Sequence, residues 1–154
     1  MDKDKATYFP KMDFMNFFNG KVEAKGHLIQ YYPKKVIKNL VISFEGKVVN
    51  KKLILIENYK ENDNALLREW SFDKVSNNSF IGQEKNVVGK IRLNSKDNYL
   101  TMKYLFKILF WKMNVIVNVV DEMYMLNSNE LINSTLVSKY KLKLATCYLL
   151  YKKL

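Results

Sequence analysis

The sequence predicts an all-β fold: a single antiparallel β-barrel or strongly curved sheet, with a short helical turn near its N-terminus. Three observations lead there. Apolar residues recur at every second position through much of the chain, which puts alternate side chains on opposite faces of a pleated strand. Clusters of Asn, Asp, Ser, Gly and Pro interrupt these stretches, implying about eight to ten strands at intervals of roughly ten residues. Finally, 154 residues fit one domain, and a chain of that size buries roughly 70% of its unfolded surface without a metal or a disulfide.

Residues 1–11 read as an N-terminal arm and 12–154 as the barrel domain, with no internal repeat or low-complexity linker between them. The arm begins Met1-Asp2-Lys3-Asp4-Lys5 and continues to Tyr8-Phe9-Pro10. It holds neither the apolar core of a secretory signal nor a lipidation cysteine, so the chain as read fits the cytoplasm. In Asp13-Phe14-Met15-Asn16-Phe17-Phe18, Asp13 can cap a short helix that Asn19-Gly20 stops. Met12, Phe14 and Phe17 then serve as packing residues that close one end of the barrel.

Strands follow. From Val36 to Phe44, the residues Val36, Leu40, Ile42 and Phe44 share a face with Lys38. From Leu66 to Phe72, the residues Leu66, Arg68, Trp70 and Phe72 oppose Leu67, Glu69 and Ser71. Leu105 to Val120 is the most apolar stretch, but it contains Lys107, Lys112, Asn114 and Asn118 and falls short of the ~20 residues that cross a bilayer. It reads as a pair of buried strands. Near the end, Leu142, Leu144, Thr146, Tyr148 and Leu150 alternate with Lys141, Lys143, Ala145, Cys147 and Leu149. Turns are expected at Tyr32-Pro33, Glu45-Gly46-Lys47, Glu61-Asn62-Asp63-Asn64, Ser76-Asn77-Asn78, Asn94 to Asn98 and Asn127-Ser128-Asn129.

Composition excludes several classes of function. A lone Cys147 closes no internal disulfide, and with the single His27 it supplies too few ligands for a zinc or His-rich metal site. No phosphate-cradling glycine loop, dinucleotide fingerprint or nucleophile elbow is present, so no cofactor is implied. His27 has no catalytic partner in view, and nothing near Cys147 would lower its pKa. Asp121 and Glu122 adjoin, so on a strand they face opposite ways and cannot act as an acid/base pair. The net charge of +11 favours anionic partners over long range, yet Arg68 and Arg92 are the only arginines among 26 basic residues. Twenty-four lysines with 17 asparagines fit a codon bias laid over solvated strand faces. The basic, aromatic segments Tyr31-Tyr32-Pro33-Lys34-Lys35 and Lys139-Tyr140-Lys141-Leu142-Lys143 read the same way, in preference to a nucleic-acid surface.

Arg68 is the most informative polar residue, because it shares a face with Leu66, Trp70 and Phe72. If that face is interior, the guanidinium must pair with Glu57 or Asp121, stack on Trp70, or anchor the carboxylate or phosphate of an amphipathic ligand. Barrels of this size can hold one small ligand.

A set of short strings extends across the chain: Phe17-Phe18-Asn19-Gly20, Ala24-x-Gly26, Phe44-x-Gly46, Arg68-x-Trp70-x-Phe72, Gly82, Val87-Val88-Gly89, Asp121-x-Met123-Tyr124, Asn133-x-Thr135-x-Val137-Ser138-Lys139-Tyr140 and Tyr151-Lys152. In order and spacing, from about Tyr8 to Lys153, they resemble the domain-of-unknown-function 3833 family of small bacterial proteins. The resemblance implies a lipocalin-like barrel, and an envelope lipoprotein in many relatives. The chain departs from the family pattern at Asn86, Glu122 and Lys141, where Asp, Trp and Gly are usual. The family supplies no reaction.

The reading is therefore a non-enzymatic lipocalin-like protein that binds a lipid or another apolar or amphipathic small molecule. Its candidate ligand-binding residues are Arg68, Trp70, Phe72, Glu57, Asp121 and Tyr124. The alternative is a structural or envelope-associated interaction protein whose basic, aromatic surface meets a partner or an anionic membrane. An enzyme is the least supported class.

Overall fold

A computed structural model describes residues 9–61, 64–110 and 112–154 of the chain. Among them a short helix precedes ten antiparallel strands: α1 (Phe14–Phe17), β1 (Gly20–Gln30), β2 (Val36–Val49), β3 (Lys52–Glu61), β4 (Asn64–Ser76), β5 (Ser79–Gln83), β6 (Val87–Lys96), β7 (Tyr99–Phe110), β8 (Met113–Met125), β9 (Glu130–Lys139) and β10 (Leu142–Lys153). Each strand pairs with the next, and β1 pairs with β10 to close the barrel. The expected antiparallel barrel is thus observed, as a closed cylinder and not a curved open sheet.

Strict alternation decides which side chains enter the lumen. Leu40, Ile42 and Phe44 of β2, Leu53 and Leu55 of β3, Trp70 and Phe72 of β4, and Val117, Val119, Asp121 and Met123 of β8 are buried, whereas their sequence neighbours face out or are only partly covered. Outward positions hold Lys25, His27, Asn39, Ser43, Glu69 and Lys103. An apolar lumen inside a charged exterior is the reverse of a barrel that spans a bilayer.

At one end α1 is pushed into the lumen as a plug. The Asp13 side chain accepts from the Asn16 N–H at 3.3 Å and caps the turn, as its position in the sequence predicts. Phe14, Phe17 and Phe18 pack on one another and on Phe44, Phe72, Phe80 and Tyr151 at centroid distances of 5.1–6.1 Å. Here Glu45-Gly46-Lys47 departs from expectation: it is no turn but the interior of β2. Gly46 is needed for close approach, since a Cβ there would lie 1.8 Å from the Phe18 carbonyl oxygen.

Two further stretches differ from the sequence reading. Leu105–Val120 forms a hairpin buried on one face only, and Leu105, Leu109, Met113 and Ile116 are exposed. In β10 a register shift between Lys143 and Ala145 interrupts the alternation, and Thr146, Cys147, Leu149 and Tyr151 are buried. The sharpest irregularity is β5. It pairs with β4 only over Ser71–Ser76, so among the described residues no strand lines that edge of β4 from Asn64 to Trp70. Side chains fill the gap instead: the Arg68 guanidinium lies 4.9 Å from the Phe106 ring centroid, and Trp70 stacks on Phe106 at 6.5 Å.

Candidate functional site: the barrel lumen

Behind the plug the lumen is incompletely filled. A cavity of about 390 Å³ runs from Phe14 and Phe18 to Leu28, Lys38, Tyr59 and Leu66. The first pair is buried, whereas Lys38 and Leu66 are exposed, so the cavity is floored by α1 and opens at the opposite end. Most of its wall is apolar, including Ile42, Phe44, Leu55, Met102, Met123 and Leu149. Such a chamber is of the size that small-molecule sites occupy.

Polar groups stand on two opposite walls. On β3 and β4, Glu57 and Arg68 are cross-strand partners. The Trp70 indole N–H donates to Glu57 at 2.8 Å. Burial raises the Glu57 pKa, against the opposing effects of the Trp70 hydrogen bond and the Arg68 charge. The Arg68 guanidinium lies over the Phe106 ring, and Asp121 belongs to β8 on the far side of the barrel from β3.

Asp121 is on β8, five strands round from β3. Its carboxylate accepts hydrogen bonds from the Thr135 hydroxyl and from the Asn133 amide at 3.4 Å, and Tyr104 bonds to it as well. The Thr135 hydroxyl is also 3.0 Å from the side-chain amide oxygen Oδ1 of Asn133. All its partners are neutral, so burial dominates and pushes the Asp121 pKa up to about 6. Tyr104 is driven well above the usual phenol range by burial, then by the nearby Asp121 charge. Cys147 lines the same chamber, and burial followed by the two carboxylates pushes its thiol up to about 12. It is a thiol, not a thiolate, at neutral pH.

Five of the six sequence-derived candidates, Arg68, Trp70, Phe72, Glu57 and Asp121, line this chamber. Tyr124 does not. It stands on the outer side of β8, half-exposed, with its ring 4.8 Å from that of Tyr99. Sequence reasoning overlooked Tyr104, Asn133 and Thr135 as cavity residues, although Leu131-x-Asn133-x-Thr135-x-Val137 carries the alternation that sends them inward. His27 is on the outer face of β1, beside Tyr148 at 5.6 Å.

A model of the family described as protein of unknown function, DUF3833, matches residues 2–153. The chain belongs to the DUF3833 family. Solved structures share the fold of this DUF3833 barrel at very low identity. A protein of unknown function from the DUF3598 family of Nostoc punctiforme aligns with a TM-score of 0.67 and 7% identity, over 94% of this chain and 50% of its own. The DUF3833 chain therefore spans half the length of that relative. An S-type phycobiliprotein lyase from Guillardia theta aligns with a TM-score of 0.66 and 5% identity, over 91% and 89% of the two chains. No curated protein matches the sequence. Likeness at this identity establishes the barrel and not its chemistry.

Proposed function

We propose that this DUF3833 barrel is a non-enzymatic carrier of one apolar or amphipathic small molecule, such as a lipid with an anionic head. The observation that carries the reading is the cavity itself: about 390 Å³ with apolar walls and a guanidinium on the side towards its open end. Glu57 is engaged by Trp70 and Arg68 rests on an aromatic face, so a carboxylate or phosphate arriving from the mouth would gain a charge-assisted bond to Arg68. Trp70 and Phe72 would flank the ligand's apolar stem, and Met102 and Met123 give walls that adapt to irregular shapes. Asp121 takes a supporting role, as the acceptor of a ligand N–H or hydroxyl. The fold likeness to a phycobiliprotein lyase supports a barrel suited to small-molecule work.

Native mass spectrometry of freshly purified protein should show a co-purifying adduct. Displacement of a fluorescent fatty acid should be at least about tenfold weaker in Arg68→Met, a loss of about 1.4 kcal/mol, while the matching neutral alcohol binds both proteins alike. No adduct and no displacement by any amphiphile would overturn the carrier; equal binding of the acid by both proteins would overturn the role of Arg68.

A further inference from the structure

The open end of the barrel carries a surface that the cavity alone does not require. Among the described residues, the connections 31–35, 84–86 and 140–141 meet there with the adjoining ends of β3, β4, β7 and β8. The ends of the adjoining strands and the described parts of these connections expose Tyr32, Ile37, Leu66, Leu67, Leu109, Met113, Tyr140 and Leu142. Tyr140 is 89% exposed and Leu109 74%. Lysines are interleaved with them: Lys34, Lys35, Lys60, Lys85, Lys112, Lys141 and Lys143 are all exposed. Among the described side chains of these connections Glu84 is the one acid; the sequence adds Glu61 and Asp63.

The two basic, aromatic segments that look like ordinary solvated strand faces in the sequence are brought side by side here. The Tyr31 N–H donates to the Leu144 carbonyl at 2.8 Å, the Tyr31 hydroxyl is 3.1 Å from that of Thr146, and the Lys143 ammonium lies 4.9 Å from the Tyr31 ring centroid. Tyr32 in turn stacks on Phe110 at 6.2 Å, tying the first loop to the β7–β8 hairpin.

We infer that this rim docks the barrel, mouth down, on an anionic lipid surface. Scattered exposed apolar residues need no explanation, but a ring of them around the opening of an apolar cavity does. Lysines with long stems, tyrosines and projecting Leu and Met are the side chains that settle at the headgroup boundary: the cations meet lipid phosphates and the apolar tips enter the acyl layer. A protein surface or a single-stranded nucleic acid fits less well. The former would cover apolar residues without needing the surplus of lysine, and the latter would leave Ile37, Leu67, Leu109 and Met113 in water. Docked this way, the cavity opens onto the bilayer and an amphiphile can pass between them without crossing water.

The test is co-sedimentation of the full chain with phosphatidylcholine vesicles, with or without phosphatidylglycerol. Binding is expected only with the anionic lipid, weakening as salt rises because the lysine contribution is screened. Lys34→Glu with Lys35→Glu should weaken it about tenfold or more, since each lysine near such a surface contributes about a factor of five. Lys74→Glu with Lys96→Glu makes the same change in net charge at the plugged end, and should have a several-fold smaller effect. Equal loss in the two variants would overturn the inference, as would equal binding to neutral vesicles, no binding at low salt, or retention by an oligonucleotide and not by vesicles. Vesicle binding by a protein that takes up no amphiphile would leave the docking surface standing and remove the carrier reading.

Discussion

The two ends of the barrel use the same kinds of side chain in opposite ways. At the plugged end the aromatic mass of α1 is turned inward, and the connections over it are mostly polar, at Asn50-Lys51, Asn77-Asn78, Asp97-Asn98 and Asn127 to Asn129, although Val49, Val75 and Leu154 beside them are exposed. At the mouth the lumen is left partly empty and the large apolar residues are turned outward, on Leu67, Leu109, Met113 and Tyr140. Apolar area removed from water stabilises the fold, whereas apolar area left in water adds little to it. The contrast separates two tasks along one axis. The plugged end holds the barrel together, and the mouth is free to be shaped by what enters or meets it.

The largest effect should come from attacking the plug. Phe18 is 1% exposed and touches Phe14, Phe17, Phe44 and Tyr151. Phe18→Ala should cost about 3–5 kcal/mol, read from the urea midpoint at unchanged slope, because the transfer term and the residual cavity add. A cost below about 1 kcal/mol would mean that α1 is an accessory to the barrel and not part of its core.

Between the two ends stands Asp121, and its effect depends on pH. Its pKa is raised from 3.8 to about 6 by burial. A carboxyl group that holds its proton more tightly when folded leaves stability intact below pH 3.8 and takes it away as pH rises through 6. The loss is about 3 kcal/mol when complete, at about 1.4 kcal/mol per pKa unit. Glu57, also raised by burial, acts in the same direction. Asp121→Asn, which keeps an acceptor for Thr135 and replaces the oxygen that accepts from Tyr104 with an N–H that the Tyr104 hydroxyl oxygen can accept, should therefore flatten the change in urea midpoint between pH 4 and 7. An unchanged slope would show that water reaches Asp121 through the mouth.

How much of this could be read beforehand follows from the same geometry. Arg68-x-Trp70-x-Phe72 was legible because a strand has period two, so one inward residue fixes the others. Parity should also have excluded Tyr124, since Asp121 and Met123 face in. The partners of Asp121 were not legible, because Tyr104 and Thr135 are on neighbouring strands and register is a property of pairing, not of local sequence. Turns at Asn50-Lys51 and Tyr140-Lys141 were missed for a different reason. All four residues take positive φ, and Lys and Tyr do not advertise that conformation. Gly46 misled in the other direction: it is there for the Phe18 carbonyl and not for a turn. The unpaired edge of β4 follows from the shortness of β5, which no residue pattern announced.

The smallest expected effect is the one that most sharpens the contrast. Leu109 is as apolar as any residue of the core, yet it is 74% exposed at the end of β7. If the mouth contributes little to folding, Leu109→Ser should shift the urea midpoint by the equivalent of no more than about 0.5 kcal/mol, as surface substitutions usually do. A loss of about 2 kcal/mol would break the division between the ends, because it would require Leu109 to be covered in the folded state, by another part of this chain or by a second copy. The two possibilities separate on dilution: a contact within the chain leaves the midpoint independent of protein concentration, and a contact between copies does not. The neutral result, joined to vesicle binding at the mouth, would leave the surrounding medium as the reason for an apolar residue that the fold itself does not use.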